Sequence, residues 1–152
     1  MARFALNRDI RFFEGISREL VDAVVTTAVV LYKLIIEDSK INLYGESLSK
    51  TYYQGVECTA IIERESSTSE YEGFGSDKNQ IVEFRFNRFT LEDKGFYPEV
   101  GDIIFHNNGY FEIDNIREDQ LIGGQVDNKF SIICSTFMTR RSTIQTEQRV
   151  IV

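Results

Sequence analysis

Tryptophan is absent from the 152 residues, histidine and proline occur once each, and cysteine and methionine twice each. Each scarcity closes a route. With His106 the lone imidazole, any Ser-His-Asp set must run through it, and its place in a turn motif reads as a solvated turn residue instead of a base. Pro98 stands just outside a strand pattern, where its missing N–H disrupts no ladder. Cys58 and Cys134 lack metal-ligand spacing and sit inside apolar strand patterns, so both read as reduced, buried thiols of a cytosolic protein. No apolar run approaches the roughly 20 residues of a membrane span, so no membrane partner is expected. The opening MARFALNRDIRFF holds no apolar run followed by a small-residue cleavage site, and so no secretory signal. Gly73-Phe74-Gly75 lacks the Lys-Ser/Thr pair that a phosphate loop needs.

What is present is aromatic and β-branched. Twelve Phe and seven Tyr within an apolar content of 42% suit the strands of a soluble domain, and the length suits one domain with a real core. The clearest element is Tyr97–Ile116. Ile103 and Phe105 lie two apart, Phe111 and Ile113 two apart, and His106-Asn107-Asn108-Gly109 between them supplies residues that tolerate the positive φ of a primed turn. Gly101-Asp102 marks a bend into the first strand.

Before that hairpin, residues 1–15 show no clear period and are expected as an extended arm, docked through Phe4, Leu6, Ile10, Phe12 and Phe13. Ser17 can cap a helix, and Leu20, Val21, Val24, Val25 and Ala28 fall at helical spacing. This predicts a helix over about 17–27 passing into a strand near 29–36, with one long helix to Ile36 as the competing reading. Val56–Glu63 alternates as a strand with Cys58, Ala60 and Ile62 on one face; Gln80–Phe89 alternates with Val82, Phe84 and Phe86 on one face. After the hairpin comes a Gly123-Gly124 turn. Lys129–Thr139 is apolar on both faces, Ile132 and Cys134 on one and Ile133 and Phe137 on the other, as suits a strand covered twice. The expected architecture is mainly β: a small antiparallel β-barrel or sandwich with one N-terminal helix and a long tip loop, spanning 1–152 as a single domain. Its parts are the arm 1–15, the helix plus barrel 16–141 and a tail 142–152.

The tip loop, 64–79, is the longest segment without a period, far beyond a hairpin turn of about 2–5 residues. It is expected to be the working loop. Gly73 and Gly75 give it freedom, Arg64, Glu65, Glu70 and Glu72 give it charge, and Tyr71 and Phe74 are its only anchors. A second expectation concerns assembly. The ends are apolar beyond what a monomer needs, with Phe12 and Phe13 at one and Val150, Ile151 and Val152 at the other, and Arg140 and Arg141 add cations beside the tail. These residues are expected at a subunit interface, the tail adding to the sheet of a neighbouring copy.

Charge is uneven. The net value of −7 argues against a protein that grips nucleic acid with its whole surface. Glu57, Glu63, Glu65, Glu70 and Glu72 make one acidic zone; Glu92, Asp93, Glu99 and Asp102 make another. Arg3, Arg8 and Arg11 stand at the start, and Arg140, Arg141 and Arg149 at the finish. Asp102, Glu112 and Asp114 could gather at one sheet end as a Mg²⁺-holding nuclease would require, but strand pairing is expected to keep Asp102 at a distance and to leave all three as solvated strand-face acids.

Gly55-Val56-Glu57-Cys58, Glu99–Phe105 and Tyr110–Ile113 resemble the neck, or head-completion, proteins of large contractile-tailed phages. Leu43–Glu46 and Ser135–Arg141 are similar to shorter neck proteins of that lineage, so the resemblance spans about residues 17–142. It implies a structural protein without enzymatic activity, cofactor or metal. Such proteins form a ring, usually of six copies, between the portal and adaptor of the filled head and the tail, and related stoppers narrow the DNA channel with a long loop. The implied partners are further copies of the chain, portal and adaptor proteins and the tail terminator. Packaged double-stranded DNA would pass through without specific binding, and assembly would occur in the host cytoplasm on the way to the virion neck. The alternatives are a metal-dependent nuclease acting on DNA ends and the tail terminator itself.

Overall fold

The computed structural model describes residues 7–41, 47–72, 75–120, 129–139, 144–146 and 150–151. The chain is mainly β, with one N-terminal helix and an extensive antiparallel sheet.

Helix α1 covers Asn7–Glu19 and runs on as a π-helical segment, Leu20–Val25. The segment expected as an extended arm is therefore helical from Asn7. Phe12, Ile16, Leu20 and Val24 recur every fourth residue, a helical row, but Gly15, a poor helix former, interrupts the pattern in its middle. Thr26 ends the helix in the left-handed region with φ 43°, its N–H donating to the Val21 carbonyl at 3.2 Å. That conformation is costly for a β-branched residue. The reading of one long helix to Ile36 is excluded, because β1 (Ala28–Tyr32) and β2 (Leu34–Ile41) follow, separated at Lys33.

The remaining elements are β3 (Ser47–Tyr52), β4 (Gly55–Thr59), β5 (Ile61–Glu72), β6 (Gly75–Asn87), α2 (Arg88–Asp93), β7 (Ile103–His106), β8 (Gly109–Gln120), β9 (Lys129–Thr139), β10 (Ile144–Thr146) and β11 (Val150–Ile151). One sheet runs β11-β4-β1-β7-β8-β9-β6-β5, and a smaller one runs β10-β3-β2. The β7–β8 hairpin forms as its turn chemistry dictates. His106 pairs with Gly109, and Asn107 and Asn108 take φ of 47° and 62°, left-handed at both central positions as a type I′ turn requires.

The inner face of the large sheet closes on one core: Leu31, Cys58, Ala60, Val82, Phe84, Phe86, Ile104, Phe111, Ile113, Ile132 and Cys134, capped by Leu91 and Phe96. Of the predicted inward residues, Cys58, Ala60, Val82, Phe84 and Phe86 are there and Ile62 packs against them half-buried, but the strand expected over Val56–Glu63 breaks at Ala60 into β4 and β5. A second cluster, Tyr32, Tyr52 and Ile103 with Val30, Leu34, Phe105 and Tyr110, lies on the other face of β1 and β7, so those central strands are apolar on both sides. β1 and β4 approach tightly at Gly55, where an added Cβ would come within 2.6 Å of Val30 Cγ1 and 2.7 Å of Tyr32 Cε1.

Two further expectations change. The strand expected to Phe89 stops at Asn87, whose side chain accepts the Phe89 N–H at 3.0 Å and caps α2. The tail expected on a neighbouring copy pairs with its own chain: β10 runs parallel to β3, and β11 parallel to β4 with Val150 beside Gly55 and Ile151 beside Val56.

Candidate functional site

Two features project from the sheet. The first is the segment expected as an irregular loop. It is a paired ribbon: β5 and β6 remain in register as far as Glu72 opposite Gly75. The segment is made mostly of Ser, Thr, Glu and Lys, with Tyr71 its one aromatic among the described residues, so no hydrophobic period marks the strands. A register shift between Ile62 and Arg64 places a bulge at Glu63. β6 pairs with β9 only from Ile81 to Asn87. From Asn79 to the tip, β5 and β6 have each other as their sole strand neighbours among the described residues, a projection of roughly 15–20 Å at strand rise. Arg64, Glu65, Glu70, Tyr71 and Glu72 lie on β5 and Gly75 opens β6, whereas Gly73 and Phe74 lie outside the described residues.

The second feature is α1. It buries no residue. Phe12 is 64% exposed, Phe13 46%, Ile16 47%, Leu20 49% and Val24 69%. Among the described residues, the contacts that fasten the helix to the rest of the fold lie at its C-terminal end. Arg18 donates to Asp93 at 2.6 Å, Asp22 accepts from Thr59 and, at 2.9 Å, from Thr90, and Val21 is buried. Beside this attachment an open cleft of about 390 Å³ is lined by Arg18, Asp22, Cys58, Thr59, Thr90 and Lys94. The structure thus brings Phe12 and Phe13 together, their rings edge to face at 6.0 Å, on an uncovered surface. Val150 and Ile151 are placed instead on β11; Arg140, Arg141 and Val152 lie outside the described residues.

The three acids weighed as metal ligands have separate surroundings. Asp102 is buried, its carboxylate accepting the Leu34 N–H at 2.9 Å, the Glu99 N–H at 2.8 Å and Lys33 Nζ at 3.1 Å. Burial pushes its carboxyl above the ordinary range, opposed by those backbone donors and by Lys33. Glu112 pairs with Lys50 across the two sheets, and Asp114 is exposed. Among the described residues no three of His, Cys, Asp and Glu are grouped to hold a metal ion. His106 is half-buried, set edge-on to the Phe84 ring at 5.9 Å. Both cysteines are buried free thiols, Cys58 pushed up to about 11 and Cys134 to about 12 by desolvation. No helix among the described residues is long and apolar enough to cross a membrane.

The uncovered row on α1 was the surface that sequence reasoning only half found. Phe12 and Phe13 are expected at an interface, but Leu20 and Val24 are read only as the apolar spacing of a helix from about 17 and Ile16 is passed over, although the i+4 spacing from Phe12 joins all four.

No protein-family model matches the sequence, and no curated protein matches it. A chain of the structure described as "Virion of native gene transfer agent (GTA) particle" superposes with a TM-score of 0.45 at 12% identity, over 74% of this chain and 93% of that one. A superposition this loose is a likeness of outline and carries no assignment.

Proposed function

We propose that this chain is a structural virion protein, one subunit of a ring in a phage neck between the portal and adaptor of the filled head and the tail, where it helps retain packaged DNA and attach the tail. The observation that carries the reading is the β5–β6 ribbon, which runs on past Ile81, the last residue of β6 paired to β9, with no further strand neighbour among the described residues. A lone two-stranded ribbon is marginal in water and gains by contact with something outside its own subunit. In a ring, the ribbons of successive copies would point toward a shared channel. The net charge of −7 fits a channel past which DNA slides, since phosphate attraction is the main source of non-specific binding. The same reading makes the role structural rather than catalytic and needs no cofactor.

The test keeps the body and removes the ribbon. Replacing residues 64–79 with a short Gly-Ser turn, in a phage carrying this gene, should leave the protein folded and DNA packaged while particles leak DNA or fail to join tails. Normal yields of DNA-filled infectious particles would refute the assignment.

A further inference from the structure

The apolar row on α1 has a matching surface elsewhere on the same chain. On the outer face of the large sheet, Ile81 of β6 and Phe137 of β9 are cross-strand partners, 47% and 37% exposed. Glu83 lies two residues along β6 on that face, its side chain 19% exposed, and accepts from Arg117 and from the hydroxyl of its cross-strand neighbour Ser135, each at 3.5 Å. The helix offers the complement. Phe12 and Ile16 carry the apolar contact, and Arg8, whose side chain is 90% exposed, stands one turn before Phe12, with Arg11 beside it. Apolar pair meets apolar row, and cations meet a carboxylate whose two present contacts are both long.

We propose that α1 of one copy docks across the Ile81–Phe137 patch of a second copy, with Arg8 and Arg11 facing Glu83. The two surfaces differ, so the contact is head-to-tail, and a head-to-tail contact repeated with closure generates a ring. The inference rests on the ring reading above for its biological setting, but the contact is defined by these residues alone. The helix is attached through Arg18, Asp22 and Val21 at one end, and Arg8, Phe12 and Ile16 on its N-terminal turns are exposed, as reaching a neighbour requires.

The experiment uses the full chain with single cysteines and a bismaleimide, which bridges exposed thiols; buried Cys58 and Cys134 serve as the internal blank. An equal mixture of the Ile16→Cys and Phe137→Cys proteins should give covalent dimers, and each alone should give about tenfold less. Cross-linking of Ile16→Cys with itself but not with Phe137→Cys would mean that helices pair with helices, and would overturn the proposal. Arg8→Glu with Arg11→Glu should raise the dissociation constant seen by light scattering about tenfold, and Glu83→Arg on the same chain should restore it. A monomer at millimolar protein with no mixed cross-link would also overturn it. Electron microscopy separates the two claims: open or non-ring oligomers that retain the mixed cross-link defeat the ring and keep the contact, whereas rings without the cross-link defeat the contact and keep the ring.

Discussion

The Asp102 carboxylate accepts the backbone N–H of Leu34 at 2.9 Å, so the residue that opens the β7–β8 hairpin also holds the corner between β1 and β2. Lys33, next to that corner, reaches Asp102 Oδ2 at 3.1 Å and the Tyr97 carbonyl at 2.9 Å, while its charge lies 5.6 Å from the Phe96 ring centre. One buried acid thus fastens three stretches that are distant in sequence.

Removing it should be expensive. Asp102→Ala strands the N–H groups of Leu34 and Glu99 and leaves Lys33 without its buried partner, for a loss of about 3 kcal/mol. Asp102→Asn retains an acceptor and should lose less. The raised carboxyl has its own signature: its contribution is full below the ordinary value of 3.8 and shrinks as pH climbs through the raised value. Urea midpoints across acid to neutral pH check this; in Asp102→Asn the decline assigned to this group should vanish.

Glu118 has the opposite sign. Lys129 Nζ at 2.8 Å and the Tyr97 hydroxyl hold its carboxyl below the ordinary range, Lys129 being the larger cause. Its stabilisation is present above the ordinary value of 4.5 and is lost as pH falls through the lowered one. Glu118→Gln should therefore unfold more readily than the parent near neutral pH and converge with it in acid. Parallel curves at every pH would show that the pairing is not felt.

The thiols should be silent in the fold. With burial pushing Cys58 to about 11 and Cys134 to about 12, almost no thiolate is present at mildly alkaline pH. A chromogenic disulfide reagent should titrate none in the native protein and both in denaturant. Prompt labelling of one thiol under native conditions would contradict its placement.

Tyr52 is fully buried and its hydroxyl has no hydrogen-bond partner among the described residues. Tyr52→Phe removes the stranded group while retaining the ring, and should raise stability by about 1 kcal/mol. A lower melting temperature for the Phe variant would reveal a partner for the hydroxyl.

The hairpin was legible because each of its residues does one local thing: the Asn107-Asn108-Gly109 run sets the turn, and alternation sets the faces. Val82, Phe84 and Phe86 were legible for the same reason, since a strand half against a core must alternate. The ribbon was not. Its strands pair through the backbone over residues that carry no hydrophobic period, and a reading by period is blind to that. The helix was misread because its apolar row faces outward and Ile10 and Val21 face the body, leaving no clean stripe. α2 hid behind a strand pattern that ran through its cap, Asn87. Of the candidate site, the sequence marked where the projecting parts are, but pairing at the tail depended on which edges of the sheet remained open.

The sheet order has a consequence for how the protein is made. β1 lies between β4 and β7, and β6 lies between β5 and β9, so each of these strands leaves the ribosome before a neighbour that completes it. Until the β7–β8 hairpin and β9 emerge, Leu31 and Phe84 have no finished core to enter. Such long-range pairing folds slowly and exposes apolar edges to other nascent chains. A chain with this strand order should therefore engage chaperones while it is being made.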